Sequence, residues 1–438
     1  MSKPVLSKST FVRSLQCLKS LYLYKNYFKQ RDKITPAQQA IFSRGNQIGV
    51  LAQQLFAGGN NASTGTKVRN KEALLNTMEA IHQGQKIIYE ASFQFEEVWV
   101  IADIIVLKDD GWHIYEVKSS LNISETYLHD AALQYYIIRN ALPQIQKAPV
   151  QSISLIHVNA QYEKQGALNL QQFFTFKDVT QHCITQTDWI RQKLIKAKLT
   201  LENGKIPAID IGEHCKLPYP CDFTNTCHRH VSKPLSLVVP TDFNLEPTAK
   251  QMVLCMLSTK PAIPVYDGCK PYQLIPFAFA TKSTSSRFVH QFTGNNYENP
   301  TNLFIEKLYN VLADADVIWV DEILVATQLF NFFNQMSYAD QNWELITEKL
   351  AGIDTFFTSY NYFDINLAAQ QIQVTVPINT KVPHAIAATE IYMTMQQSQD
   401  LFSAAEQAEL IQQYLSDQLQ LLSKMANTLG RFTNTNYV

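Results

Sequence analysis

The stretch VWVIADIIVLKDDGWHIYEVKSS, residues 98–120, constrains the fold of this chain more than any other. Two runs rich in β-branched and aromatic residues flank Lys108-Asp109-Asp110-Gly111, a turn signal, so the stretch reads as a β-hairpin. A two-residue turn at Asp109-Asp110 sets Asp103 opposite Glu116, and a turn at Asp110-Gly111 sets it opposite Lys118. Opposed residues share a face, and so do residues two apart. Either register therefore gathers Asp103, Glu116 and Lys118 on one side. A three-residue loop would throw Asp103 onto the other face.

That grouping suits phosphodiester cleavage. Oxygen ligands from Asp103 and Glu116, with the backbone carbonyl of Val117, form a set suited to Mg²⁺ or Mn²⁺, which lowers the pKa of a bound water. Lys118 beside them can orient that water or offset developing negative charge. As an exposed cleft residue, Lys118 would contribute little to stability. A solvated surface hairpin is the competing reading. Two neighbours favour chemistry: Glu90 lies on the preceding strand, and Asp130 and Gln134 fall one turn apart on the following helix.

A strand bearing Asp, a strand bearing Glu-x-Lys and a helix bearing Gln and Tyr resemble the RecB-type branch of PD-(D/E)XK nucleases. The resemblance implies catalytic roles for Asp103, Glu116, Lys118 and Gln134. It implies support from Glu90, Asp130 and either Tyr135 or Tyr136. An acidic or imidazole residue expected on an early helix is missing: in RGNQIGVLAQQLF, Val50 stands where a Glu would be.

Three of the seven cysteines fall in CKLPYPCDFTNTC, residues 215–227, and a fourth, Cys17, lies near the N-terminus. Clustered cysteines in a cytosolic protein read as metal ligands rather than disulfides. One Cys before the core and three after it resemble the iron–sulfur nucleases of the AddB and CRISPR-associated adaptation type. The resemblance implies a 4Fe–4S cluster on Cys17, Cys215, Cys221 and Cys227. The alternative is zinc, with His214, His228 or His230 as a further ligand.

Around the hairpin, helices are expected over 6–30, 36–56, 71–82, 124–141 and 178–197, with further strands at 87–95 and 150–159. This order predicts an α/β domain, a PD-(D/E)XK restriction-endonuclease-like mixed sheet with flanking helices, over 1–235. From 240 to 438 a second α/β domain follows. Its strands are expected at 252–257, 274–280, 287–292 and 316–320, with helices at 301–313 and 401–428. The stretch PAIPVYDGCKPYQLIPFAFA, 261–280, resembles the DnaQ-like (DEDD, ribonuclease-H-like) partner in a bacterial family that fuses the two domains. The Asp-x-Glu strand of that partner reads MVLCMLSTK here and carries no acid. Asp321 and Glu322 come early for the next motif, Val325 holds its place, and Asp417 matches a third. The second domain is thus expected to be degenerate.

With 46% hydrophobic residues, 17% charged and no low-complexity tract, the 438 residues suit folded domains. A net charge of −1 makes any nucleic-acid surface local. The start of the chain shows no signal-peptide pattern and no apolar run approaches the roughly 20 residues of a membrane span. A cytoplasmic protein is expected, with nucleic acid, DNA first, as partner and no membrane. No Walker A sequence provides a motor. A catalytically inactive nucleic-acid-binding or interaction scaffold is the alternative function.

Overall fold

The computed structural model describes residues 6–63, 70–228, 236–238, 240, 243, 245–295, 298–336, 341–358, 363–375, 381–396 and 400–434. They form two compact units: Met1–His230 with Ala262–Pro271, and Val231–Pro261 with Tyr272–Val438. Both are α/β, each built on a mixed sheet with flanking helices.

The first sheet has seven strands: β1 (Leu6–Ser7), β2 (Asn60–Asn61), β3 (Ile87–Phe95), β4 (Val98–Lys108), β5 (Gly111–Lys118), β6 (Val150–Val158) and β7 (Phe174–Asp178). Their order is β2-β3-β4-β5-β6-β7, with β1 pairing in parallel with the start of β4. Strand β5 pairs antiparallel with β4 and parallel with β6, so the sheet is mixed. Lys108 pairs with Gly111, making Asp109-Asp110 a two-residue turn, the first of the two registers. Gly111 has φ of +136°, and a Cβ there would lie 2.4 Å from the Pro149 carbonyl oxygen, so the turn requires glycine. The helix Glu125–Ala141, capped by the Ser124 side chain, buries Ala131, Leu133, Ile137 and Ile138 in the core under β3, β4 and β6.

The expected helix over 6–30 is broken. Lys8–Gln16 ends and Leu18–Asn26 begins at Cys17, whose backbone is extended and whose Sγ accepts from the Ser20 N–H at 3.5 Å. The apolar stripe continues through the break because Phe11 and Leu21 enter the same core, so periodicity alone hides it. The helix expected over 178–197 is likewise split, into Thr180–Thr185 and Thr187–Glu202.

The second unit carries β8 (Ser236–Leu237), β9 (Gln251–Thr259), β10 (Ile275–Ser283), β11 (His290–Thr293), β12 (Val317–Val320), β13 (Leu350–Gly352) and β14 (Phe357–Thr358). Five form a sheet in the order β11-β10-β9-β12-β13, antiparallel up to β9 and parallel beyond it, while β8 and β14 pair separately. Along β9, Val253, Cys255 and Leu257 enter one core, and Leu254 enters another on the opposite face. A strand buried on both faces reads as a continuous apolar run. That is why this strand carries no acid: an ionised carboxylate there would be desolvated without a partner. The helix Leu401–Asn434 covers one side through Ile411, Leu415, Leu419, Leu422, Ala426 and Leu429, a helical stripe.

Within the expected boundary between 235 and 240, residues 236–238 and 240 are described and 235 and 239 lie outside the described residues. One segment changes sides. Ala262–Pro271, expected in the second domain, belongs to the first unit, held by the Gly268 N–H on the Lys164 carbonyl at 2.8 Å and by the Lys164–Asp267 ion pair at 2.6 Å. Among the described residues no helix is long and apolar enough to cross a membrane.

Candidate active site and cysteine cavity

The hairpin delivers Asp103 from the middle of β4 and Glu116 and Lys118 from the end of β5. The last pair of the ladder is Ile104 with Tyr115, and one step further the same register sets Asp103 against Glu116. Asp103 Oδ2 accepts from the Val117 N–H at 2.6 Å, tying the two strands where their ladder ends. Lys118 Nζ donates to Glu116 Oε1 at 2.6 Å and also bonds Asp130 Oδ2. The three hairpin residues and Asp130 thus converge as the pattern predicts.

A residue that local sequence gave no reason to pick completes the group. Lys8, 108 positions from Glu116, donates from Nζ to Glu116 Oε1 at 2.8 Å and lies 3.8 Å from Asp130 Oδ2. Glu90 stands close enough to feel both Lys8 and Glu116. Its φ of +53° is left-handed, although its neighbours Tyr89 and Ala91 stay in register with Ile104 and Ala102. A non-glycine residue in that region costs on the order of 1–3 kcal/mol, a strain that concentrates at working sites.

Burial would push the Glu116 carboxyl up. The Lys118 and Lys8 ammonium groups outweigh burial and hold Glu116 well below the usual carboxylate range. Asp103 shows the reverse balance: burial, then the Glu116 charge, push it up to about 8 against the pull of Lys8 and Lys118. Burial, reinforced by Glu116 and opposed by Lys8, raises Glu90. Both lysines are raised, since Asp130 and Glu116 more than offset the burial that would deprotonate them. The ammonium form is therefore their resting state.

Several buried polar atoms here have no hydrogen-bond partner: Glu116 Oε2, Asp130 Oδ1 and both amide atoms of Gln134. Gln134 is fully buried and Glu116 is 2% exposed. Orphaned polar atoms at such depth are costly unless a ligand, ion or water meets them. That donor set fits a hard divalent cation, with Asp103, Glu116 and the Val117 carbonyl as its holders. Among the described residues no three His, Cys, Asp or Glu side chains, at the acids or at the cysteines, form a group that would hold a metal ion.

Three expectations need correction. Lys118 is not an exposed cleft residue: its side chain is 13% exposed and paired with two buried acids. Neither supporting tyrosine is held in the acidic group. Tyr136 donates to Glu96 Oε2 at 3.3 Å, and the Arg139 guanidinium lies 5.7 Å from the Tyr135 ring centre. Tyr127 takes that place, its ring centre 5.1 Å from Lys118 Nζ, and burial and Tyr127 push its neighbour Tyr219 up to about 12. Val50 is 61% exposed, so that helix position contributes nothing buried to the acids.

Tyr219 belongs to the cysteine segment, so the segment reaches the acidic site. Cys17, Cys215, Cys221 and Cys227 line one small cavity with His214, Ser20 and Phe223. The Cys221 N–H donates to the Cys215 carbonyl at 2.9 Å, and Cys221 Sγ lies 3.6 Å from Ser20 Oγ. Burial raises the Cys221 and Cys227 thiols. Arg13 and Arg31 both pair with Asp222, and Gln16 Nε2 donates to the His214 and Tyr219 carbonyls at 2.7 and 2.6 Å. The N-terminal helices and the cysteine segment are thereby clasped. His228 is buried with both ring nitrogens unpartnered but does not line this cavity, and His230 lies outside the described residues.

In the second unit the acids group differently from expectation. Asp321 and Glu322 follow β12 and feel Asp354, just beyond β13, whose Oδ1 accepts from the Ile323 N–H at 3.0 Å. Burial raises all three carboxyls. Cys255 and Tyr414 are close by, and Asp417 instead accepts from Gln413 Nε2 at 3.0 Å. Val325, on the helix Ile323–Met336, is 56% exposed.

By fold the chain is an α/β protein of two units, and by site its first unit presents an acidic group balanced by lysines. Comparison adds one family: residues 258–370 match DUF2779, a domain of unknown function. The match spans the Ala262–Pro271 segment of the first unit and much of the second sheet. No curated protein matches the chain. The crystal structure of SSO0001 is similar at 11% identity with a TM-score of 0.24, over 52% of this chain and 87% of that one, a likeness that carries no argument.

Proposed function

We propose that the first unit is a metal-dependent nuclease domain of the PD-(D/E)XK type that hydrolyses phosphodiester bonds, with DNA as its first expected substrate. The observation that carries this reading is Glu116. It is 2% exposed, held ionised by two lysines at Oε1, and keeps Oε2 buried and unpartnered beside Asp103. A carboxylate held ionised with one buried oxygen left unpartnered is suited to receive a cation. Asp103, Glu116 and the Val117 carbonyl would hold Mg²⁺ or Mn²⁺, which supplies an acidified water at neutral pH. The Val117 N–H fixes the Asp103 carboxylate toward that position. Lys118 stays protonated, which favours stabilisation of the negative charge developing on the attacked phosphate over a role as base.

A 4Fe–4S cluster on Cys17, Cys215, Cys221 and Cys227, with zinc as the competing occupant, belongs to the same reading, and the lining of one cavity by these four cysteines supports it. The raised thiols mean that loading releases protons. The second unit, with an apolar β9 and uncompensated acids, fits a degenerate DnaQ-like, ribonuclease-H-like module that binds rather than cuts.

Labelled single- and double-stranded DNA and RNA, incubated with Mg²⁺ or Mn²⁺, test the reading. Cleavage that needs the metal and disappears in Lys118→Ala supports it. No cleavage of any substrate, with the cysteine site filled, favours the inactive scaffold.

A further inference from the structure

We propose that Lys8 is a built-in cation of the acidic site, standing where a second metal ion would stand, so that the chain loads one divalent cation rather than two. This rests on the metal-dependent reading of the same site. Lys8 reaches the acids through a deliberate local geometry. Before it, Leu6 and Ser7 pair with Val98 and Trp99, at the start of the strand that carries Asp103. After it, Ser7 and Thr10 close a reciprocal capping box at the start of the helix Lys8–Gln16. The residue is thus fixed from both sides.

Its place also breaks a helix rule. A cation in the first turn of a helix opposes the macrodipole, and no acid accompanies Lys8 in that turn. A local cost of this kind is characteristic of a site where something else is gained. Here the gain is contact with Glu116 at 2.8 Å and proximity to Asp130 at 3.8 Å. Lys8 and Lys118 both occupy Glu116 Oε1, leaving Oε2 as the one unpartnered oxygen of that carboxylate. The carboxyls of Glu90, Asp103, Glu116 and Asp130 face the ammonium groups of Lys8 and Lys118; with all four ionised, the form a bound cation favours, one divalent cation would balance the remainder.

Counting Mn²⁺ bound to the full-length chain by electron paramagnetic resonance tests this without reference to cleavage. Binding that survives Glu116→Gln is subtracted as belonging elsewhere. The wild type should bind one Mn²⁺. Lys8→Met should bind two, or bind the first about tenfold more tightly, because a like charge a few ångströms away has gone. Lys8→Arg should remain at one, and a rise of Tm on adding Mn²⁺ verifies that Lys8→Met is folded. Two ions in the wild type, or an unchanged count and affinity in folded Lys8→Met, would overturn the role of Lys8. No Glu116-dependent Mn²⁺ in either chain would instead bring down the metal site itself, and the inference with it.

Discussion

The two units place acids at comparable points, Glu116 near the end of β5 in the first and Asp321 and Asp354 just past β12 and β13 in the second, yet surround them differently. In the first, Glu116 and Asp130 are met by Lys8 and Lys118, and Glu116 is held ionised in a buried setting. In the second, Asp321, Glu322 and Asp354 answer mainly to burial and to one another, and all three are pushed toward the protonated form. Burial raises Asp103 and Glu90 in the first site too, so what separates the two sites is the one carboxylate, Glu116, that the lysines hold ionised. An acid count alone would have ranked them together.

The comparison can be broken most severely at the cysteine cavity, which joins the first site to the N-terminus. Cys227→Ser should lose most of the bound metal and much of the folded yield, because a metal there closes a very long loop. Iron and sulfide analysis of anaerobically purified protein, which should be brown, measures this; a colourless protein with stoichiometric zinc would assign the cavity to zinc.

Lys118→Ala should cost about a hundredfold or more in cleavage. It should also cost stability, near the lower end of the roughly 3–5 kcal/mol lost when a buried pair is broken, since Lys8 still serves Glu116. Urea unfolding of the metal-free variant checks the second effect, and an unchanged midpoint would return Lys118 to the solvated surface.

Asp103 offers a pH test of intermediate size. Its folded-state pKa, pushed up to about 8, lies above its ordinary value, so the metal-free native state binds the proton more tightly than the unfolded chain. The stability this contributes is fully present below the ordinary carboxylate range and is lost as pH rises through about 8. The slope approaches ~1.4 kcal/mol per pH unit. Asp103→Asn should remove that slope; denaturation series at several pH values read it directly. Glu116 has the opposite sign and loses its contribution only in acid. Smallest of all, Asp417→Ala in the second unit should change stability by ~0.5 kcal/mol or less and leave cleavage intact.

What was legible in the sequence follows the range of the interaction. The hairpin register was readable because the side-chain period of two and a two-residue turn leave few choices, and Gly111 marks where that turn must close. The grouping of the cysteines was readable because three of them fall within one short segment, and the structure lines a single cavity with those three and Cys17. Lys8 was not: nothing in its neighbourhood distinguishes it from a solvated lysine, and its partner lies 108 residues away. Asp354 escaped for the same reason, as it joins Asp321 only once β13 lies beside β12. The break at Cys17 was masked because both helices point apolar residues into one core. Tyr135 and Tyr136 enter the site only by analogy, whereas Tyr127, about two helical turns nearer the start of the same helix, lies over Lys118.

The most direct test sets one acid from each unit against the other. Glu116→Gln and Asp321→Asn, each nearly isosteric, should be compared for metal-dependent cleavage of the same labelled DNA, with folding of both verified by circular dichroism. The account predicts that Glu116→Gln is inactive and that Asp321→Asn cuts at the wild-type rate. Cleavage that survives Glu116→Gln but is lost in Asp321→Asn would contradict it, and would place the working site in the second unit.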